Sequence, residues 1–215
     1  MKKALLAIAI SLVFYSFSFA QVDSTQSNYA LSFGIGNNFT LSNFNMDIAV
    51  KKIIDNKHQL RLFVSPRIST NDTKNSGGRL SSENKSQSYS LSIGADYLWI
   101  LLNKHSINMY GGTGLILAYG HNYIKQGTAV DNTSNGSTVT NQPNIMVGLR
   151  GTLGVQWMVN QSIGIHCEYL LTGSYNWSRS EKKEYISNTV LVTNTSKSSS
   201  INLSTIVLFG VSIYL

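Results

Sequence analysis

The chain has 215 residues, with 17 Lys and Arg against 10 Asp and Glu, a formal charge of +7, 17 Gly, 11 Tyr, two Pro and one cysteine, Cys167. A single cysteine excludes an intramolecular disulfide scaffold, and few prolines among many glycines and tyrosines favour extended strands over helices. The basic surplus is scattered through polar stretches such as Lys182-Lys183, not gathered among stacking aromatics, so no nucleic-acid partner is expected and a mild attraction to anionic lipid or sugar is.

The first element is "MKKALLAIAISLVFYSFSFAQ". Lys2 and Lys3 precede an apolar run from Ala4 to about Phe19, and Ser18 and Ala20 form the small-x-small pattern that signal peptidase reads. The run is short for a spanning helix. Residues 1–20 are therefore expected to be a cleaved signal peptide, and 21–215 a single exported domain. Removing Lys2 and Lys3 lowers the formal charge from +7 to +5 (7 − 2). No cysteine stands at the cleavage point, so no lipid anchor is expected there. No later segment is apolar for 18 residues.

Beyond residue 28 the recurring period is two, the period of strands. "YALSFGIG" puts Tyr29, Leu31, Phe33 and Ile35 on one face and Ala30, Ser32, Gly34 and Gly36 on the other. "FNMDIAVK" opposes Phe44, Met46, Ile48 and Val50 to Asn45, Asp47, Ala49 and Lys51. "QLRLFVSPRI" opposes Leu60, Leu62, Val64 and Ile68 to Arg61, Phe63, Ser65 and Arg67. "YSLSIGADYLW" sets Leu91, Ile93, Ala95, Tyr97 and Trp99 against Ser92, Gly94 and Asp96. "INMYGGTGLILAY" sets Met109, Leu115, Leu117 and Tyr119 against Tyr110, Gly112 and Gly114. "NIMVGLRGTLGVQW" sets Val147, Leu149, Leu153, Val155 and Trp157 against Gly148, Arg150, Thr152, Gly154 and Gln156. "SIGIHCEYLLT" sets Ile165, Cys167, Tyr169 and Leu171 against Gly164, His166 and Glu168. "INLSTIVLFGVSIYL" closes the series, with Ile201, Leu203, Val207, Phe209, Val211, Ile213 and Leu215 opposite Asn202, Ser204, Gly210 and Ser212.

The links between these eight strands differ. Asn56-Lys57-His58, Asn103-Lys104-His105 and Asn160-Gln161-Ser162 mark three short turns, where Asn tolerates the left-handed backbone of tight hairpins. Between them lie long polar links, "STNDTKNSGGRLSSENKSQS", "GHNYIKQGTAVDNTSNGSTVTNQP" and "NWSRSEKKEYISNTVLVTNTSKSSS". The apolar faces run for about nine to eleven residues, the length a tilted strand needs to cross a bilayer. Short turns at one end and long loops at the other are the asymmetry of outer-membrane barrels. Tyr89, Tyr119, Tyr123, Tyr175 and Trp177 gather toward the long-link end, with Trp99 and Trp157 toward the turn end, as two interfacial girdles would.

The leader, the eight alternating segments and the loop asymmetry resemble the small outer-membrane β-barrels of the OmpX and OmpA-barrel type, over about Tyr29 to Leu215. The resemblance implies an all-β, eight-stranded antiparallel up-and-down transmembrane barrel in the outer membrane, its N-terminus periplasmic. It implies the barrel alone, without the peptidoglycan-binding domain of full-length OmpA relatives. It also implies a last strand read by the barrel assembly machinery. Gly210, Ile213 and the terminal Tyr214-Leu215 match the spacing of that signal, with Leu where the family usually carries Phe or Trp.

The inward parity collects Asp47, Arg61, Arg67, Asp96, Arg150, His166 and Glu168. Counted from the turns, Asp47, Asp96, Arg150 and Glu168 fall near mid-height and Arg61 lower. Unpaired charges in such a lumen would be costly, so a structural network of paired charges is expected. The sharper alternative is a gate or proton site with His166 and Glu168 as its titrating pair, although eight strands leave little room for a pore. His121, in "YGHNYIK" beside a loop carrying Asp131, is the one candidate for rim chemistry, and no His-x-Ser-Asn stretch of a lipid A deacylase is present. No catalytic, cofactor-binding or metal-ligating residue is therefore expected. The β-formers around Ser187-Asn188 and the Asn135-Gly136 turn signal predict that strands five to eight extend into a protruding sheet. Its edges could pair with a partner strand.

The function this supports is a structural or adhesive membrane component, in contact with outer-membrane lipid and with an extracellular protein or glycan partner. A narrow channel and a lipid-modifying enzyme are the functional alternatives, and a soluble sandwich the architectural one.

Overall fold

The computed structural model describes residues 28–36, 43–77, 80–104, 106–130, 134–186 and 189–215. The expected signal peptide, Asp131 and the Ser187-Asn188 turn lie outside them. Eight strands follow in chain order: β1 (Tyr29–Gly36), β2 (Asn43–Ile53), β3 (His58–Gly77), β4 (Leu80–Lys104), β5 (Ile107–Val130), β6 (Ser134–Met158), β7 (Ile163–Ile186) and β8 (Thr189–Tyr214). Each pairs antiparallel with its sequence neighbour, and β1 closes the ring against β8.

The register explains the closure. A row of paired residues starts at Val211 of β8 and passes through Phe33, Ile48, Val64, Ile93, Leu117, Val147 and Tyr175. It returns to β8 at Ile201, ten residues from its start (211 − 201). That stagger tilts the strands, typically by ~35–45° in closed barrels. Every position in the row is apolar or aromatic, and all point outward. The opposite parity turns Ser32, Asp47, Arg61, Asp96, Arg150, Glu168 and Ser212 inward, where all are buried. The polarity of a soluble protein is inverted: charge inside, and Leu62, Leu115, Leu149 and Phe209 more than half exposed outside.

Side-chain caps set two of the short turns. The Asp55 carboxylate accepts hydrogen bonds from the Lys57 and His58 amides at 2.7 and 2.8 Å and from His58 Nδ1 at 2.8 Å. The His58 ring holds the Asp55 carboxyl below its ordinary pKa, with the Lys57 amide as the next cause. Asn160 Oδ1 likewise accepts from Ser162 and Ile163 N at 2.8 and 2.7 Å. These are Asx turns, in which the side chain takes the place of a backbone acceptor.

The long links differ from their sequence reading. β3 and β4 extend as well as β5 to β8, so most of each polar link is strand. β1 and β2 have 8 and 11 residues, while β4 to β8 have 24 to 26. The described β1 partners of β8 stop at Leu208 and the β2 partners of β3 at Ser69. Beyond those rows, among the described residues, the closed ring gives way to a six-stranded curved sheet bounded by β3 and β8. Asn135 and Gly136 do not turn. They pair with Ala129 and Thr128 inside the β5–β6 ladder, because a reversal there would slip a register fixed along the whole pair and turn every side chain to the wrong face.

Candidate functional site

The candidate site is the interior, and all eight strands contribute to it. Asp96 of β4 stands at its centre, fully buried between two guanidiniums. Arg61 Nε donates to Asp96 Oδ2 at 2.8 Å. Arg150 Nε and Nη2 donate to Asp96 Oδ1 and Oδ2 at 3.2 and 2.5 Å. Arg61 Nη1 also reaches Glu168 at 2.6 Å, and its Nη2 donates to Thr152 Oγ1 at 3.2 Å. Arg150 Nη1 reaches Asp47 Oδ2 at 3.2 Å, and Ser65 Oγ donates to the same carboxylate. The Arg150 guanidinium lies 3.3 Å above the Phe63 ring centroid, so its faces as well as its edges have partners.

A second tier lies nearer the turns. Tyr110 Oη donates to Glu168 at 2.5 Å, and Lys51 Nζ stands 3.9 Å from the same carboxylate. Lys51 also donates to Ser212 Oγ at 3.3 Å. Ser212 in turn meets Ser32 Oγ at 2.7 Å and His166 Nδ1 at 3.2 Å. His166 and Glu168 share a strand face without a hydrogen bond between them; Lys51 and Ser212 connect them. The network holds three cations, Lys51, Arg61 and Arg150, and three carboxylates, Asp47, Asp96 and Glu168, and is balanced.

Small residues make room for it. A Cβ on Gly154 would lie 2.5 to 2.7 Å from the Tyr110 ring, and one on Gly94 would overlap Phe63. At Gly210 a Cβ would meet the Phe33 carbonyl and the His166 ring. Between Ser32, Asp47, Arg61, His166, Glu168 and Leu208 the residual cavity is about 10 Å³, about the space of one water.

Asp47, Arg61, Asp96, Arg150, His166 and Glu168 are thus all buried within one connected set. Arg67 is not among them. It is exposed, two residues beyond Ser65 toward the hairpin end, where a guanidinium keeps its hydration instead of being buried unpaired. Sequence reasoning put Lys51 on the inward face but left it out of the charged set, although its parity with Asp47 was signal enough. Tyr110, Thr152 and Ser212 carried the same parity and no charge to draw notice. His121 lies within β5, not in a loop, with its ring stacked on Tyr89 at 5.2 Å. At the C-terminus, Tyr214 Oη accepts from Gln156 Nε2 at 2.7 Å, and the Leu215 amide donates to the Tyr29 carbonyl at 3.0 Å. Ile213 pairs with Leu31 and Ile163, and Gly210 with Gly34 and His166.

These features define a closed eight-stranded barrel with a charged, filled interior and an apolar wall. No protein-family model matches the chain, and no curated protein does. Among solved structures, the chain is similar to CarO of Acinetobacter baumannii, with 8% identity over 89% of this chain and 100% of that one, at a TM-score of 0.42. It is also similar to a major outer membrane protein of Thermus thermophilus, with 13% identity over 88% and 99% of the two chains, at a TM-score of 0.35. Likeness at this level carries no argument about function. The architecture rests on the register itself.

Proposed function

We propose that this chain is an integral outer-membrane β-barrel of the small OmpX-like kind, with its interior a structural plug and its protruding sheet a surface for a partner. The observation that carries the membrane reading is the register row that is apolar at every strand around the wall. A continuous wall of that size is far larger than the exposed apolar patches of soluble monomers, and closure leaves no open edge at bilayer depth. Tyr175 and Trp177, with ring centroids 4.5 Å apart at one end, and Tyr97 and Trp99, 5.3 Å apart at the other, suit the two interfaces. Export by the 1–20 leader and recognition of Gly210, Ile213, Tyr214 and Leu215 by the assembly machinery belong to the same reading.

The adhesive role draws on the β8 edge. From Thr189 to Val207 no described β1 residue pairs with β8, and Val190, Leu191 and Val192 are about half exposed. An unpaired strand edge offers its N–H and C=O groups to a protein strand. The test replaces 181–195 with an Asn-Gly turn and compares adhesion of cells displaying either chain to immobilised host-matrix protein and glycan. Loss of adhesion with an intact barrel supports the role; unchanged adhesion removes the 189–195 part of the edge, with its exposed Val190, Leu191 and Val192, from it.

A further inference from the structure

Two like-charged pairs stand opposite one another on the outer wall. Arg179 of β7 pairs with Lys197 of β8, and Lys85 of β4 with Lys125 of β5. Like charges directly opposite destabilise a sheet, and neighbouring acids do not relieve these. Glu181, next on the same face as Arg179, is held by Lys183 Nζ at 2.9 Å, and Glu83, next to Lys85, by Lys74 Nζ at 3.3 Å. Among the described residues none of the four cations has an ion-pair partner.

Their level on the barrel is specific. The ten-residue stagger over eight strands raises a given level by a little over one residue per strand. Three strands on from Lys85, Arg179 therefore stands level with it, although it lies four residues lower in the register. The Arg179–Lys197 pair sits one outward position above Trp177, and the Lys85–Lys125 pair two outward positions above Tyr89. Beneath the Arg179–Lys197 pair the wall is hollowed into a groove of about 320 Å³, with Tyr119, Ile145 and Trp177 on its floor and both cations at its rim. The groove is apolar below and doubly cationic above.

We propose that this groove binds one phosphate-bearing lipid of the outer leaflet, its phosphate between Arg179 and Lys197 and an acyl chain along Tyr119, Ile145 and Trp177. This rests on the membrane reading above. The occupant follows from complementarity. The floor excludes a hydrated anion, the rim calls for a negative charge, and the belt of Trp and Tyr marks the depth at which headgroup phosphates lie. Arg179 can present two parallel N–H groups to a phosphate, and Lys197 adds a point charge.

Trp177 is its own reporter. In a Trp99→Phe, Trp157→Phe background, the mature chain is refolded into phosphatidylcholine vesicles, and Trp177 fluorescence is quenched with brominated phosphatidic acid or brominated phosphatidylcholine. Stronger quenching by the phosphatidic acid is expected, with a preference of roughly 30-fold, since each cation contributes about fivefold. Arg179→Gln with Lys197→Gln abolishes that preference while Lys85→Gln with Lys125→Gln leaves it. Equal quenching by both lipids, or equal loss from both double variants, overturns the site. A preference erased by millimolar inorganic phosphate assigns the pair to free phosphate and overturns the lipid. If neither lipid quenches Trp177, the wall is not in the bilayer, and the membrane reading falls with it.

Discussion

Replacing Asp96 with alanine tests what the interior network is for. Its carboxylate receives four contacts, Arg61 Nε at 2.8 Å, Arg61 Nη2 at 2.7 Å, Arg150 Nε at 3.2 Å and Arg150 Nη2 at 2.5 Å. Each charge-assisted bond is worth ~1.5–3 kcal/mol in isolation, but they share two donors and one acceptor and do not add. The controlling quantity is the charge left behind: a balanced set becomes +1, with two buried guanidiniums short of a counter-ion. Breaking a buried pair in this way costs about 3–5 kcal/mol, and that is the expected loss for Asp96→Ala. Arg150→Met alone should cost a similar amount by uncovering Asp47 and Asp96. Together the two changes restore neutrality, so the double variant should fall short of the summed losses by ~2 kcal/mol or more. Urea unfolding in phosphatidylcholine vesicles, followed by Trp fluorescence, measures all three. A loss below about 1 kcal/mol for Asp96→Ala, or strict additivity of the pair, would refute the argument that these charges depend on one another.

Three further outcomes follow from the same geometry. Leu117→Arg, on the outward row, should cost ~2–4 kcal/mol in vesicle unfolding if the wall faces lipid, whereas Thr195→Arg, on the same outer face of β8 but above the Arg179–Lys197 level, should be near neutral. Gly154→Ala should cost about 1–3 kcal/mol by driving Tyr110 off Glu168, visible as a lower urea midpoint at unchanged slope. The Asp55 turn should be pH-sensitive with a definite sign. A carboxyl held below its ordinary value stabilises the turn above the unfolded range near ~4 and loses that contribution as pH falls through the lower folded value. Protection of the Lys57 and His58 amides, taken relative to intrinsic exchange at each pH, should therefore fall at acid pH, and Asp55→Ala should remove the dependence.

The barrel was legible because parity is a local property. Asp96 follows Ala95 and precedes Tyr97, and nothing but alternation was needed to turn it inward. Which partner it meets was not legible, since Arg61, Asp96, Gly114 and Arg150 share one row only through the registers of the β3–β4, β4–β5 and β5–β6 ladders, which alternation alone does not fix. The protruding sheet was half visible for a related reason. Thr193 to Ser200 of β8 are exposed on both faces, so no burial imposes an alternation, and the stretch reads as a polar loop. Among the described residues, only the β7 register carries it. Asn135-Gly136 shows the converse, a strong turn signal overridden by the ladder on either side. Lys51 is the instructive omission: its parity with Asp47 already turned it inward, while the Glu168 carboxylate and Ser212 hydroxyl that receive its ammonium come from strands far along the chain.

The central claim is that these strands form a closed barrel whose apolar wall faces lipid. Refolding the mature chain in detergent and running it on SDS gels with and without boiling tests this most directly. A closed ladder with no free edge at membrane depth should resist SDS unboiled and change mobility on heating. No heat-dependent shift, from a chain that is also soluble without detergent, would contradict the account and mean that the apolar faces pack against each other.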